Sequence, residues 1–106
     1  MSDLQWLDFE YSEGDDGVGV FDALASVLPQ YASAVRAEID AVLAWAQAEG
    51  GQRDPMEEGG DWDAELQASE DTGPPARHEF GLTITGTPGF CEAFRLRFMA
   101  ADDGAY

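Results

Sequence analysis

The chain has 106 residues, with 22 Asp plus Glu against 5 Lys plus Arg, for a formal net charge of -17 at pH 7. All five cations are arginines, at positions 36, 53, 77, 95 and 97, so lysine-based phosphate cradles and Schiff-base chemistry are excluded. So strong an anion has no basic footprint for nucleic acid or anionic lipid, and direct binding to either is not expected, while 44% apolar and 11% aromatic residues supply one compact core.

Residues 1–8 lack the cationic start and apolar run of a secretory signal, and their acids disfavour a transit peptide, so a soluble cytoplasmic protein is expected. The longest apolar run, residues 41–46, is far short of the roughly 20 that cross a bilayer. Cys91 is the single cysteine, which allows no internal disulfide; beside Phe90 and close to Phe94 it reads as a small buried hydrophobe.

From the N-terminus, residues 4–11 alternate. Leu7, Phe9 and Tyr11 fall on one side and Leu4, Trp6, Asp8 and Glu10 on the other, which predicts a strand. Residues 12–17, Ser-Glu-Gly-Asp-Asp-Gly, are turn chemistry. Residues 18–27 carry two periods: Val18, Val20 and Leu24 suit a return strand, whereas Phe21, Leu24, Ala25 and Leu28 follow a helical stripe. Proline costs about 3 kcal/mol inside a helix and almost nothing in its first turn, so Pro29 favours a strand before it and a helix after it.

Over residues 29–49, Val35, Ile39, Val42, Leu43 and Ala46 recur at helical spacing, with Gln30, Ser33, Arg36, Asp40 and Gln47 on the wetter side. Gly50-Gly51 closes this helix, and residues 52–60 form a polar loop. Residues 62–69 alternate again. Trp62, Ala64, Leu66 and Ala68 face one way and Asp63, Glu65, Gln67 and Ser69 the other, predicting a half-buried strand with an acidic outer face. A Pro-containing loop follows, and Phe80, Leu82 and Ile84 then line one face of residues 78–85, completing a second hairpin.

Thr87-Pro88 resembles a helix N-cap with proline at the first position. Phe90, Phe94 and Phe98 are four residues apart, but Phe94, Leu96 and Phe98 also alternate with Arg95 and Arg97, so residues 88–99 suit a helix or a last strand. The expected architecture is a single α+β domain over residues 1–101, with a frayed acidic tail at 102–106. It consists of two β-hairpins forming a mainly antiparallel sheet, one long helix packed on one face, and a C-terminal Phe-rich helix or strand.

The charge is unevenly placed. Residues 1–71 hold 18 acids against Arg36 and Arg53, whereas residues 72–101 hold Glu79 and Glu92 against Arg77, Arg95 and Arg97. One cluster includes Asp8, Glu10, Asp15 and Asp16; a second includes Glu57, Glu58, Asp61, Asp63 and Glu65. Three readings compete. A solvated surface, a lysine-poor coding bias or adaptation to a salty cytoplasm explains excess acid but not its clustering. A docking surface for a basic partner uses clustered carboxylates to steer a cationic protein on, and can imitate a phosphate backbone as an inhibitor or nucleic-acid mimic does. Trp6 and Trp62 are then candidate aromatic anchors, against the alternative that the strand alternation buries them in the core.

The third reading is a metal-dependent protein or small enzyme built on Asp61, Asp63, Glu65 and His78, although neighbours on one strand face stand about 7 Å apart. His78 is the single histidine, and no GxGxxG, GxSxG, HExxH or paired CxxC occurs. A structural or oligomer-forming subunit is a further class. No catalytic residue, cofactor or metal is assigned. The expected function is a non-enzymatic protein-binding module that docks a basic partner through its carboxylate surface.

Overall fold

The computed structural model describes residues 4–14 and 16–99; Asp15 and the expected tail at 102–106 lie outside the described residues. Four strands, β1 (Glu10–Glu13), β2 (Gly19–Val27), β3 (Trp62–Asp71) and β4 (Arg77–Gly86), form one antiparallel sheet in the order β1-β2-β4-β3. Two helices, α1 (Ala32–Glu49) and α2 (Pro88–Phe94), complete the expected α+β architecture. Both β2 and β3 run antiparallel to β4, hence parallel to each other, and parallel strands need a long crossover. That crossover is α1.

Pro29 opens a 3-10 turn (Pro29–Tyr31) that leads directly into α1. Val35, Ile39, Val42 and Ala46 are buried along one stripe of the helix, as their spacing requires. At its end the Gly50 N–H donates to Ala46 O (2.7 Å), and Gly51 then turns the chain at φ +91, a conformation that favours glycine. A side chain at Gly51 would also meet the Asp61 carboxylate, which accepts from Gln52 N–H at 2.8 Å.

Two sequence expectations change. Of the strand predicted over residues 4–11 only Glu10 and Tyr11 belong to β1, which continues through Ser12 and Glu13, the first two residues of the expected turn. Leu7 and Phe9 do face the core. The backbone of residues 5–7 joins no sheet, however, because Gln5, Trp6 and Leu7 donate their N–H groups to the carboxylate of Glu38 on α1 at 2.6–2.9 Å. Residues 19–27 are a strand, but its core face is Phe21, Ala23, Ala25 and Val27; Leu24, with the parity of Val18 and Val20, lies on the opposite face and is 82% exposed.

Residues 88–94 are helical and continue into a π-helical turn (Arg95–Met99). Thr87 caps α2, its Oγ1 accepting from Phe90 N–H at 3.3 Å. The four-residue spacing prevails over the alternation: Phe90, Phe94 and Phe98 are buried, while Leu96 is 68% exposed. Phe94 is the hub of the aromatic core, with ring centroids 4.2 Å from Phe21, 4.9 Å from Phe98 and 5.1 Å from Phe9. Trp62 stacks on Phe90, and its indole N–H donates to Gly51 O at 3.3 Å, so this large side chain is buried with its polar atom satisfied. Gly86 permits this packing, since a Cβ there would stand 2.2 Å from the Phe90 ring. Among the described residues no helix is long and apolar enough to cross a membrane.

Candidate functional site: the open face of the sheet

Both helices and the N-terminal segment contribute to one core on the inner face of the sheet. The outer face has no covering element among the described residues, and the register fixes what it displays. Glu10 stands directly opposite Asp22, Asp22 opposite Thr83, and Thr83 opposite Glu65, so one row crosses all four strands with a carboxylate on three of them. Asp22 Oδ1 accepts from Thr83 Oγ1 at 2.7 Å, which holds its carboxylate in place on the central strands. In the next row Leu24 lies across Gly81 from Gln67, and its methyl group covers the space a side chain at Gly81 would need. Beyond it Ser26 opposes Glu79. Arg77 from β4 crosses to this strand, donating to Ser26 Oγ (2.9 Å) and Ser26 O (2.7 Å).

The predicted partner-binding residues are thus dispersed in part. Glu10, Asp63 and Glu65 lie on the outer face; Asp63 is held by Arg53 at 3.3 Å. Asp8 is exposed on the segment before β1. Asp16 is committed to its turn, accepting from Val18 N–H at 3.0 Å, and its neighbour Asp15 is not described. Glu57 and Glu58 are exposed on a short 3-10 turn in the loop before β3, and Asp61 is bound to Gln52. Three interstrand steps of about 4.8 Å separate β1 from β3, so the two acidic clusters occupy opposite edges of the sheet. Asp22, absent from both, joins them. Its signal was present: it alternates with Leu24 and Ser26, and only its register against Glu10 and Glu65 is invisible in the sequence.

Of the two candidate anchors, Trp62 is fully buried and unavailable to a partner. Trp6 is half-buried, its ring 5.3 Å from that of Tyr31. The exposed apolar residue on the acidic face is Leu24. Nor do Asp61, Asp63, Glu65 and His78 form one centre. His78 opposes Glu70 at the far end of the hairpin, roughly 26 Å along β3 from Trp62. Among the described residues no three His, Cys, Asp or Glu side chains converge as metal ligands.

Among the described residues two groups have altered acidity. Burial pushes the Cys91 thiol up, and its Sγ donates to Gly86 O at 3.4 Å inside the core. Tyr11 is also raised, chiefly because its hydroxyl donates to Glu13 Oε1 at 2.8 Å, which favours the protonated form. Neither group belongs to the outer face. At the opposite end of the sheet a groove of about 630 Å³ opens between the start of α1 and the β3–β4 hairpin. Its walls include Ala32, Arg36, Ala68, His78 and Phe80. The Arg36 guanidinium lies over the Phe80 ring at 5.4 Å, and His78 Nε2 is 3.2 Å from Glu70.

Comparison of the chain with protein-family models, with curated proteins and with solved structures finds no match.

Proposed function

We propose that the chain is a non-enzymatic binding module that docks a basic protein on the open face of its sheet. The observation that carries this reading is the cross-strand row of Glu10, Asp22 and Glu65 with the exposed Leu24 beside it. Like charges directly opposite each other destabilise a sheet by roughly 0.2–1 kcal/mol, and a cationic partner relieves that repulsion on binding. The carboxylates steer the encounter and set its specificity; Leu24 supplies an apolar contact in the adjoining row. The exposed face of the sheet also distinguishes this arrangement from a uniformly acidic coat, because α1 contributes few acids and the row is built from strands far apart in sequence.

The test begins with capture of basic proteins from the native lysate by the immobilised chain. Each captured protein is then purified and titrated calorimetrically against the wild type and a D22N/L24S/E65Q variant. The reading expects one saturable site that weakens as salt rises, since screening reaches about 10 Å at 0.1 M. It also expects a loss of roughly tenfold or more in the variant and little change in an E57Q/E58Q variant. Equal affinity for the face variant and the wild type overturns the reading. Competition of the captured protein's nucleic acid, where it binds one, separates an inhibitor that mimics phosphate from an adapter.

A further inference from the structure

The outer edge of β3 changes character halfway along. At its start the edge is covered: Trp62 N–H donates to Gln52 O (3.4 Å), Asp54 N–H donates to Trp62 O (3.1 Å), and Arg53 donates to Ala64 O (3.0 Å). These bonds show that residues 62 and 64 direct their backbone polar groups away from β4. The pairing of β3 with β4 runs residue for residue from Trp62↔Gly86 to Asp71↔Arg77 without a bulge, so Leu66, Ala68 and Glu70 point the same way. Among the described residues nothing pairs with the outward N–H and C=O groups of these three. The opposite edge of the sheet is the four-residue β1, much shorter than the ten-residue β3.

The groove adjoins this same stretch, with Ala68, Glu70, His78 and Phe80 contributed by the β3–β4 hairpin and Ala32 and Arg36 by the start of α1. From residue 67 to residue 71 β3 is exposed at every position, so the end of the strand stands open beside the groove. Leu66 is only half-buried there, and Ala68 is exposed. An unpaired strand edge beside a groove that offers the apolar surfaces of Ala32, Ala68 and Phe80 is the geometry of β-strand addition: main-chain bonds supply affinity and alternate side chains enter the groove.

We propose that the free edge of β3 at Leu66, Ala68 and Glu70 pairs with an extended basic segment of the partner, which places an apolar side chain in the groove between Ala32, Arg36, Ala68 and Phe80. The inference rests on the proposed docking function and specifies how the partner is gripped. Charge selects the occupant. Glu65 flanks the free edge; beside it Glu70 lies 3.2 Å from His78 Nε2, Asp71 accepts from Gly73 N–H at 3.0 Å, and Asp63 is held by Arg53. A second copy of this chain would bring those carboxylates against its own equivalents in a molecule of net charge -17. A strand alternating cationic and apolar residues instead puts its cations beside Glu65 on the outer face and its apolar groups under Leu66 and Ala68.

The test uses a fluorescent seven-residue peptide of alternating arginine and leucine, the same peptide N-methylated at alternate backbone positions, and the full-length chain, read by fluorescence anisotropy. Ala68→Pro removes an N–H that points away from β4 and therefore costs no bond to the sheet. The parent peptide should bind the wild type with one site. Ala68→Pro should weaken it roughly tenfold, about the contribution of one backbone bond. The N-methylated peptide should lose at least as much in one of its two registers, a result that does not depend on how Ala68→Pro folds. If both changes leave binding intact while D22N/L24S/E65Q weakens it, the peptide lies on the open face: the strand-addition proposal is overturned and the docking reading survives. If no peptide binds at low salt, both fail. Concentration-dependent dimers abolished by Ala68→Pro in sedimentation, or peptide binding that requires deletion of residues 100–106, would assign the edge to the chain itself and overturn the proposal.

Discussion

Phe94 concentrates more of the core than any position on the strands, because its ring contacts Phe9, Phe21, Trp45, Phe90 and Phe98 together. Truncating so enclosed a ring leaves a cavity that five aromatic neighbours cannot all collapse into. Phe94→Ala should therefore cost about 3–5 kcal/mol in urea unfolding, against less than about 0.5 kcal/mol for Leu96→Ala two residues on. Glu38 acts by hydrogen bonding, its carboxylate accepting from three consecutive N–H groups that otherwise have no strand to join. Glu38→Ala should raise amide exchange at Trp6 and Leu7 and lower stability by about 1–3 kcal/mol; unchanged exchange at those amides would show that packing of Leu7 and Phe9 alone holds the segment. The buried thiol sets a pH dependence. Its folded acidity is weaker than in the unfolded chain, so above about pH 8.5 the unfolded state releases a proton that the folded state keeps, and stability falls as pH rises. Tyr11 adds a contribution of the same sign above about pH 10. The urea midpoint should decline from about pH 8.5 upward, less steeply in Cys91→Ala, and iodoacetamide should label Cys91 only as fast as the chain opens.

Among the elements, the clearest in the sequence are those whose period is supported by a boundary signal. Pro29 and Gly50-Gly51 delimit α1, and the alternation about Trp62 and Phe80 defines the β3–β4 hairpin because one face of each strand meets the core. The N-terminal segment misleads for a physical reason: burial of Leu7 and Phe9 produces strand-like alternation, but the bonds that fix its backbone come from Glu38, some thirty residues away. β2 misleads through Leu24, a large apolar residue on the solvent face, while small Ala23 and Ala25 line the core. The candidate site was legible to the same degree. Acidic strand faces can be recognised from parity, but which carboxylates become neighbours depends on pairing between strands remote in sequence. That pairing predicts repulsion between Glu10 and Asp22. Glu10→Gln should stabilise the chain by roughly 0.2–1 kcal/mol and shrink the gain from added salt; a loss of stability would mean that Glu10 is held by attractive contacts instead.

For the molecule as a whole, a charge of -17 on 106 residues makes self-repulsion a general opponent of folding. The unfolding temperature should rise between about 0.01 and 0.15 M sodium chloride, as the Debye length falls from about 30 to about 8 Å. An insensitive unfolding temperature would indicate that the acidic groups are too widely spaced to interact. The same screening weakens the proposed basic partner, so salt should raise the stability of the free chain while lowering its affinity, two opposed trends from one charge distribution.

The position of β4 between β2 and β3 also dictates how the sheet comes into being. The two hairpins are joined by the pairing of β2 with β4, the last strand in the chain, which brings together residues such as Asp22 and Thr83 that are 61 positions apart. Loop closure over such a span costs entropy before any long-range bond is formed, so assembly should be late, slow for a chain of this size and nearly all-or-none. Amides of β4, which has a strand on each side, should then be the last to exchange with solvent, and the outward amides of Leu66, Ala68 and Glu70 on β3 among the first, which places the most rigid and the most yielding parts of the sheet on neighbouring strands.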